Sequence, residues 1–451
     1  MIAVRRKIGI VGAAISGPTL ALQILTHPVL RELYTPTLWD QTPDPFPSSC
    51  HPTSPFSPSS PSAKTLQTAG AAIALSGNGL APLYALGLRA AIDARSQEFT
   101  GVSFWRSGYG APAFSPDEAV EAAQPAPAVR LNRMQDPTWS TELGTNMRII
   151  ERRHLQEILL KKVVELDGEV VWERKLEKVE EVGDTGGVRV LFKGGKGENV
   201  SLLVGAEGAW SEVRRAILRR RDESTAEERW VPDFMGATGI YGISSPKIAP
   251  LVVEGVEKEA AADTHGIWLD QGTLSMSPLP GGKIRWDLLI PEASPPEHSK
   301  SKAEEEIDAE VEQDMISRWE SRIVPNAYST NSTIDILHRH AGVYHPATSS
   351  FGRLIAASER IIRSPLRSSF GVEDATVLAN CLLNHSPSAE SNFRTALEEY
   401  AQVRISRSKK MARMASLAGN LSLGERWYWR WLRDYGIKWM PMPKDPKAGK
   451  K

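Results

Sequence analysis

Residues Lys7–Leu25 constrain the fold more than any other stretch of the chain. Lys7–Val11 (KIGIV) is a short apolar run of the kind buried in a parallel sheet. It leads directly into Gly12-Ala13-Ala14-Ile15-Ser16-Gly17, and Pro18–Leu25 continues with helical periodicity. Pro18 suits the start of a helix, where its missing N–H would have no partner in any case. Thr37–Asp40 (TLWD) reads as a second strand, so a β-α-β unit closes early in the chain. The turn has the spacing G-x-A-x-x-G. In such a turn the first glycine permits the tight bend. The middle position lets the backbone approach a pyrophosphate, and the last lets the helix pack on the strand. The helix N-terminus then offers its N–H groups to the phosphates. Asp40 ends the second strand, where an acid accepts a hydrogen bond from an adenosine ribose. Ala14 holds the middle position, and its methyl group is expected to crowd the phosphates.

Composition narrows the alternatives. Of 451 residues, 41% are hydrophobic and 24% charged, which is globular rather than disordered. The length predicts two or three domains, or one large two-part enzyme. Lys+Arg and Asp+Glu both number 54, so no global basic field argues for a nucleic-acid partner. Two cysteines, Cys50 and Cys381, make neither a disulfide framework nor a multi-cysteine zinc site. A reducing, cytoplasmic location and no metal are the expectation. Arg5, Arg6 and Lys7 before an apolar run look like a secretory opening, but Gly12, Ser16, Gly17 and Pro18 interrupt it. No clean run of ~20 apolar residues predicts a spanning helix.

Along the chain, Thr42–Ser62 carries seven prolines and seven serines in 21 residues and reads as a surface insertion, taken as 42–64. Ala71–Leu75 is a predicted strand and Asn78–Leu86 a predicted helix. Arg152–Val164 sets Leu155, Ile158, Leu159 and Val163 on one helical face. Val188–Phe192 and Val200–Val204 read as antiparallel strands around a glycine-rich turn, and Trp210–Leu218 as a helix. Gly266–Leu269, Thr273–Ser277 and Lys283–Leu289 predict a second, mixed sheet. Gly352–Ala357 returns to the buried-strand type, and Val372–Leu383 and Ala396–Ser416 to helices. The expected class is α/β: a Rossmann-like nucleotide-binding domain in three parts (1–95, 149–225 and 349–420). A mixed β-sheet substrate domain (96–148 and 226–348) interrupts it, and C-terminal helices lead to a tail at 421–451.

With these motifs in order, the chain resembles the FAD-dependent aromatic hydroxylases, the single-component flavoprotein monooxygenases related to salicylate and p-hydroxybenzoate hydroxylases. Many of the fungal members serve secondary metabolism. Gly12–Leu22 (GAAISGPTLAL) is similar to the family opening GAGIAGPALA. Gly70–Leu88 resembles the family's G-A-G-I-x-L-x-x-N segment and its following helix. Ile150–Leu160 (IERRHLQEILL) matches the R-x-x-L helix start, Leu203–Arg214 (LVGAEGAWSEVR) the V-G-A-D-G-x-x-S-x-V-R motif, and Ser277–Trp286 the Y-P-L-P-G-G strand pair. Gly352–Asn380 stands at the second flavin motif and Ala396–Ser416 at the closing helix. The resemblance implies that the three-part Rossmann-like domain is an FAD-binding domain of the GR2-type, with FAD held by Gly12, Ala14, Gly17, Asp40, Ala72, Arg152, Glu207, Glu359 and Gly371 and NAD(P)H as co-substrate. Departures are visible. Glu207 replaces an aspartate. Glu359, Arg360 and Ile361 replace the aspartate and small residues beside the ribityl chain, and Glu373-Asp374 arrives about four residues early.

Two classes of function follow. The first is a monooxygenase that hydroxylates or epoxidises a small aromatic, polyketide or terpenoid metabolite with NAD(P)H and O2. Arg360, Arg363 or Arg367 would then add positive charge near a reduced flavin. The alternative is a redox-silent enzyme of the same fold that guides cyclisation, isomerisation or dehydration by acid–base groups. Candidates for that chemistry are Tyr241, Asp263, His265, Asp270, His338 and His340. The tail is the remaining oddity. Trp427, Tyr428, Trp429, Trp431, Tyr435 and Trp439 crowd together with Arg426, Arg430, Arg433 and Lys438. Either this helix docks its aromatic face on the body, or it makes a peripheral membrane contact.

Overall fold

The computed structural model describes residues 5–44, 72–108, 126–134, 143–182, 187–231, 236–244, 263–269, 272–294, 367–385, 393–424 and 426–439. The elements run β1 (Arg6–Val11), α1 (Ser16–Thr26), α2 (Pro28–Leu33), β2 (Tyr34–Trp39), β3 (Ala72–Leu75), α3 (Gly77–Ala85), α4 (Arg89–Arg95), β4 (Ser96–Glu98), β5 (Val102–Gly108) and β6 (Ala126–Met134). They continue with β7 (Arg148–Glu151), α5 (Arg152–Glu165), β8 (Glu169–Val171), β9 (Leu176–Val182), β10 (Gly187–Phe192), β11 (Gly197–Val200), β12 (Leu202–Gly205), α6 (Glu212–Arg221) and α7 (Glu223–Trp230). The last are β13 (Ala237–Ser244), β14 (Thr264–Leu269), β15 (Gly272–Leu279), β16 (Lys283–Pro291), α8 (Arg367–Asn384), α9 (Arg394–Leu423) and α10 (Trp427–Asp434). The chain divides into two compact units. One is Met1–Arg95, Ile150–Asp233 and Ala357–Ala415; the other is Ser96–Ile149, Phe234–Ala356 and Ser416–Lys451.

The first unit is built on a four-stranded parallel sheet of order β12-β1-β2-β8. Strands of this kind are covered on both faces, which is why β1 is a continuous apolar run with Ile8 and Ile10 fully buried. Trp39 at the end of β2 packs edge-on against Phe192 of β10, with ring centroids 5.1 Å apart. Val11, Leu176, Val190, Val200 and Val213 complete that cluster, so the antiparallel sheet β11-β10-β9 is fastened to the parallel one by side chains. Helix α1 begins two residues before Pro18, which therefore sits in the first turn, still among the N–H groups that lack a helical partner. The expected strand Val200–Val204 is in fact two. Val200 closes the hairpin opposite Val188, whereas Leu202–Gly205 runs parallel to β1. The Ser201 N–H donates to the Lys7 carbonyl (2.8 Å) at the switch. Alternation within five residues does not reveal a change of sheet.

The second unit holds a six-stranded sheet of order β13-β16-β15-β14-β5-β6. β13, β16, β15 and β14 are antiparallel, while β14 and β5 pair in parallel, Gly266 opposite Phe104. Leu274, Met276, Leu288 and Ile290 form the buried cluster of one face, with Ile267, Leu269, Ile284 and Trp286 beside them. The sequence reading had no strand at β5 or β6. Charged and small residues interrupt both, and neither alternates cleanly. Gly352–Ala357 and the Pro/Ser stretch beyond Asp44 lie outside the described residues.

Two glycines set the geometry at the top of β1. Gly12 has φ +107, and a Cβ there would sit 2.6 Å from the Ala206 backbone. A Cβ on Gly17 would overlap the Gly12 carbonyl oxygen, so α1 and β1 meet backbone to backbone. Gly17→Ala is expected to cost about 2 kcal/mol or more of stability, since neither backbone can yield cheaply, and to lower the midpoint in urea unfolding.

Candidate functional site

The Gly12–Gly17 turn is held from three directions. The Ala13 N–H donates to Asp40 Oδ2 (2.7 Å), and the Gly12 N–H to the Trp39 carbonyl (2.7 Å). These bonds draw the end of β2 onto the bend. From α5, the buried Gln156 donates through Nε2 to the Ala13 carbonyl (2.9 Å). From α8, Gly371 comes so close that a Cβ on it would overlap Ser16 Oγ. Helix α1 itself opens with no side-chain cap and no acid in its first turn, which leaves its positive end suited to an anion.

The residues expected to hold a dinucleotide are placed as follows. Gly12, Ala14 and Gly17 form the turn. Ala14 has an ordinary backbone, since the left-handed non-glycine residues among those described are Asp167 and Glu173. Asp40 is half-buried, and its Oδ1 accepts from the Thr42 N–H (2.9 Å) and hydroxyl (2.7 Å). With Ala13, that fills three of the carboxylate's roughly four acceptor positions and leaves room for one hydroxyl. Arg152 opens α5, one helical turn before Gln156 and on the same face. Sequence reasoning missed Gln156, although its i,i+4 relation to Arg152 was a usable signal. Ala72 is the buried first residue of β3. Glu359 lies outside the described residues, as do Arg360 and Arg363.

Glu207 has a structural task. Its Oε2 accepts from Ser211 Oγ (2.6 Å), and its Oε1 from the N–H groups of Glu212 (3.1 Å) and Val213 (3.2 Å). Ser211 caps Arg214 in turn (3.1 Å). Glu207 thus closes the N-terminus of α6. Burial pushes its carboxyl up, and the bonds it accepts offset this only in part. Glu373 of α8 is tied to α3 by Asn78 Nδ2 (2.6 Å) and to α9 by Arg404 and Arg407. Burial raises its pKa, but the hydrogen bonds from Arg407, Asn78 and Arg404 outweigh that and hold it below the ordinary range.

In the second unit Asp263 and His265 stand two residues apart at the start of β14, and Tyr241 lies three strands away on β13. Asp263 is fully buried and receives Arg133 Nε (2.6 Å) and Nη2 (3.0 Å), Ser103 Oγ (2.8 Å) and Thr100 Oγ1 (3.0 Å). Burial opposes its charge, yet these donors win and keep it ionised below its usual pKa. Such a group anchors β5, β6 and β14 rather than giving up a proton. His265 accepts the Trp105 indole N–H at Nδ1 (3.0 Å), so the neutral ring carries its proton on Nε2. Tyr241 pairs in register with Asp287, on the sheet face opposite the apolar cluster. Asp287 accepts from Arg285 Nη2 (2.6 Å), but burial dominates and raises its carboxyl. Its alternation with Arg285 in the apolar strand KIRWDLLIP was the signal that sequence reasoning passed over. His338, His340 and Asp270 lie outside the described residues. Among the described residues no cluster of His, Cys, Asp and Glu could hold a metal ion.

The fold is that of the FAD-dependent monooxygenases. Klebsiella pneumoniae HpxO complexed with FAD and uric acid superposes with a TM-score of 0.60 at 15% identity, covering 95% of this chain and 93% of that one. PqsL of Pseudomonas aeruginosa, a probable FAD-dependent monooxygenase, gives 0.61 at 15% identity, covering 96% and 100%. In sequence, the chain is 24% identical over 385 residues to the aurachin C monooxygenase/isomerase of Stigmatella aurantiaca, spanning 83% of this chain and 85% of that protein. No protein-family model matches the chain.

Two carboxylates make opposite predictions. Arg133→Met leaves Asp263 charged in an apolar setting and is expected to cost about 3–5 kcal/mol near neutral pH, read by urea unfolding. Because the folded pKa of Asp263 is depressed, the pair's contribution is present above its unfolded pKa and fades as pH falls through the folded one, so the gap to wild type narrows in acid. The folded pKa of Glu207 is raised, so its contribution is lost as pH rises. Glu207→Gln is expected to gain stability on wild type in urea unfolding as pH rises from the ordinary glutamate range through the raised folded pKa.

Proposed function

We propose that the protein is an FAD-dependent monooxygenase of secondary metabolism, which hydroxylates or epoxidises a small organic molecule with NAD(P)H and O2. The observation that carries this is the Gly12–Gly17 turn. It is bent by a left-handed glycine, drawn to Asp40, and followed by a helix whose N-terminus has no side-chain cap. These residues fit the adenosine and pyrophosphate portion of FAD. Gly12, Gly17 and the first turn of α1 would hold the phosphates, Asp40 the ribose, and Arg152 would add positive charge from α5. Bound there, FAD supplies electron transfer from the nicotinamide and activation of oxygen.

The remaining work falls to the chain itself. Gln156 and Gly371 fix the turn so that its N–H groups need not reorganise when the anion arrives. Arg404, Glu373 and Asn78 brace α8 and α3 around that segment. The second unit is the substrate domain. Its sheet offers an apolar face with Met276, Leu288 and Trp286, and a polar face with Tyr241, Asp287 and Arg285. Asp287, whose carboxyl burial holds protonated to higher pH than an ordinary aspartate, is the group there suited to share a proton with a substrate oxygen. The name of the aurachin C relative couples monooxygenase with isomerase, so rearranged as well as hydroxylated products belong in the assay.

A visible spectrum of the purified protein tests this reading. Flavin bands that bleach with NAD(P)H under anaerobic conditions are the expected result. A protein that stays colourless after incubation with FAD would instead support the cyclase or isomerase alternative. Ala14→Gly removes the methyl group that would face the phosphates of bound FAD and is expected to tighten FAD binding by about three- to tenfold in a fluorescence titration. Unchanged affinity would displace the pyrophosphate from this turn.

A further inference from the structure

Helix α10 is mounted with its apolar side outward. Arg433 is 1% exposed: it pairs with Asp434 (2.7 Å), lies over the Trp268 ring at 5.8 Å and reaches the Ser422 carbonyl (3.5 Å). Just beyond, Ile437 is buried against Leu131 and Trp268, and its carbonyl accepts from Asn132 Nδ2 (2.7 Å). A docked surface helix ordinarily buries its apolar stripe and exposes its arginines. Here an arginine is buried, while Trp427 (78% exposed), Trp431 (56%), Tyr428, Leu432 and Tyr435 face outward. At 100° per residue these five fall within an arc of about 140°. Arg426 and Arg430 are exposed along one edge of the arc, Arg426 bonding the Tyr428 hydroxyl (3.1 Å). The expectation that this helix docks its aromatic face on the body is therefore corrected: packing takes the other face.

We propose that this face is a peripheral docking surface for an anionic lipid bilayer. Trp and Tyr rings with an apolar body and a polar edge settle at the level of the lipid headgroups, and flanking arginines reach lipid phosphates. Charge selects the kind of surface. Residues 416–451 hold 8 Lys/Arg and 3 Asp/Glu, a net of +5 in a chain whose net charge is zero. Among the described residues no helix is long and apolar enough to cross a membrane, so the contact is made with the surface of the bilayer. Arg433 and Ile437 hold the helix in place, which leaves the aromatic arc for the bilayer. The inference is independent of flavin binding.

Vesicle sedimentation with the full-length protein tests it. Phosphatidylcholine vesicles with about 30 mol% phosphatidylserine are expected to bind it about tenfold more tightly than phosphatidylcholine alone, and ~0.5 M salt to weaken that binding. The double substitution Trp427→Gln and Trp431→Gln is expected to lower partitioning about tenfold with the melting temperature unchanged. Point substitutions are preferable to truncation because Arg433 and Ile437 belong to the packing. Brominated lipid should quench part of the wild-type tryptophan fluorescence, a readout that needs no variant. Equal partitioning of wild type and double variant, no preference for the anionic vesicles, or no quenching would each overturn the proposal. So would a wild-type dimer in light scattering that the double variant turns into a monomer, since the face would then belong to a second copy of the chain.

Discussion

The contact between the Gly12 carbonyl and the backbone of Gly17 is the constraint on which the first unit depends. It lets α1 lie directly on the end of β1, and the other elements gather around that meeting point. Asp40 arrives from β2, Gln156 from α5 and Gly371 from α8, so three stretches far apart in the chain close on six residues. A nucleotide turn fixed in this way carries its preorganisation in the protein, and binding need not supply it. Asp40 shows the economy of the arrangement. One carboxylate pins the bend and Thr42 two residues on, and still has an acceptor position to offer.

Charged groups elsewhere do structural work that a list of titratable residues would not separate from catalysis. Asp263 and Glu207 are both acids in or beside segments with functional associations. Asp263 is neutralised by an arginine and two hydroxyls, and Glu207 caps a helix. Their pKa values move in opposite directions because donors outweigh burial at Asp263 and burial outweighs donors at Glu207. Asp287 has one charged partner, Arg285, and burial prevails there too. The balance of donors against burial, rather than residue type, distinguishes an anchor from a group able to exchange a proton.

Much of this was legible beforehand where local pattern and tertiary role coincide. The KIGIV run, the spaced glycines and the apolar face of α5 each express a single periodicity over enough residues to be read. Val200–Val204 and the strands β5 and β6 resisted the same reading. In the first case the chain changes sheets after one residue; in the others pairing with distant strands imposes extension on sequences without strict alternation. Gln156 and Asp287 escaped notice for a related reason. A polar residue on a helix face or in a strand gains meaning only from what it meets, and Ala13 is 143 positions from Gln156.

The amino-acid sequence by itself determined the α/β class, the nucleotide turn and its place at the head of a parallel strand. Steric demands on glycine and the buried-strand pattern act over a few neighbouring residues, so they are written locally. Only the tertiary structure decided which acids are spent on anchoring, which polar side chains reach the turn, and which face of the tryptophan-rich helix looks outward. Each of those outcomes is a competition between distant groups for the same hydrogen bonds and the same buried space. Arg433 took the buried place against Trp268, and the neighbouring tryptophans were left to the surface.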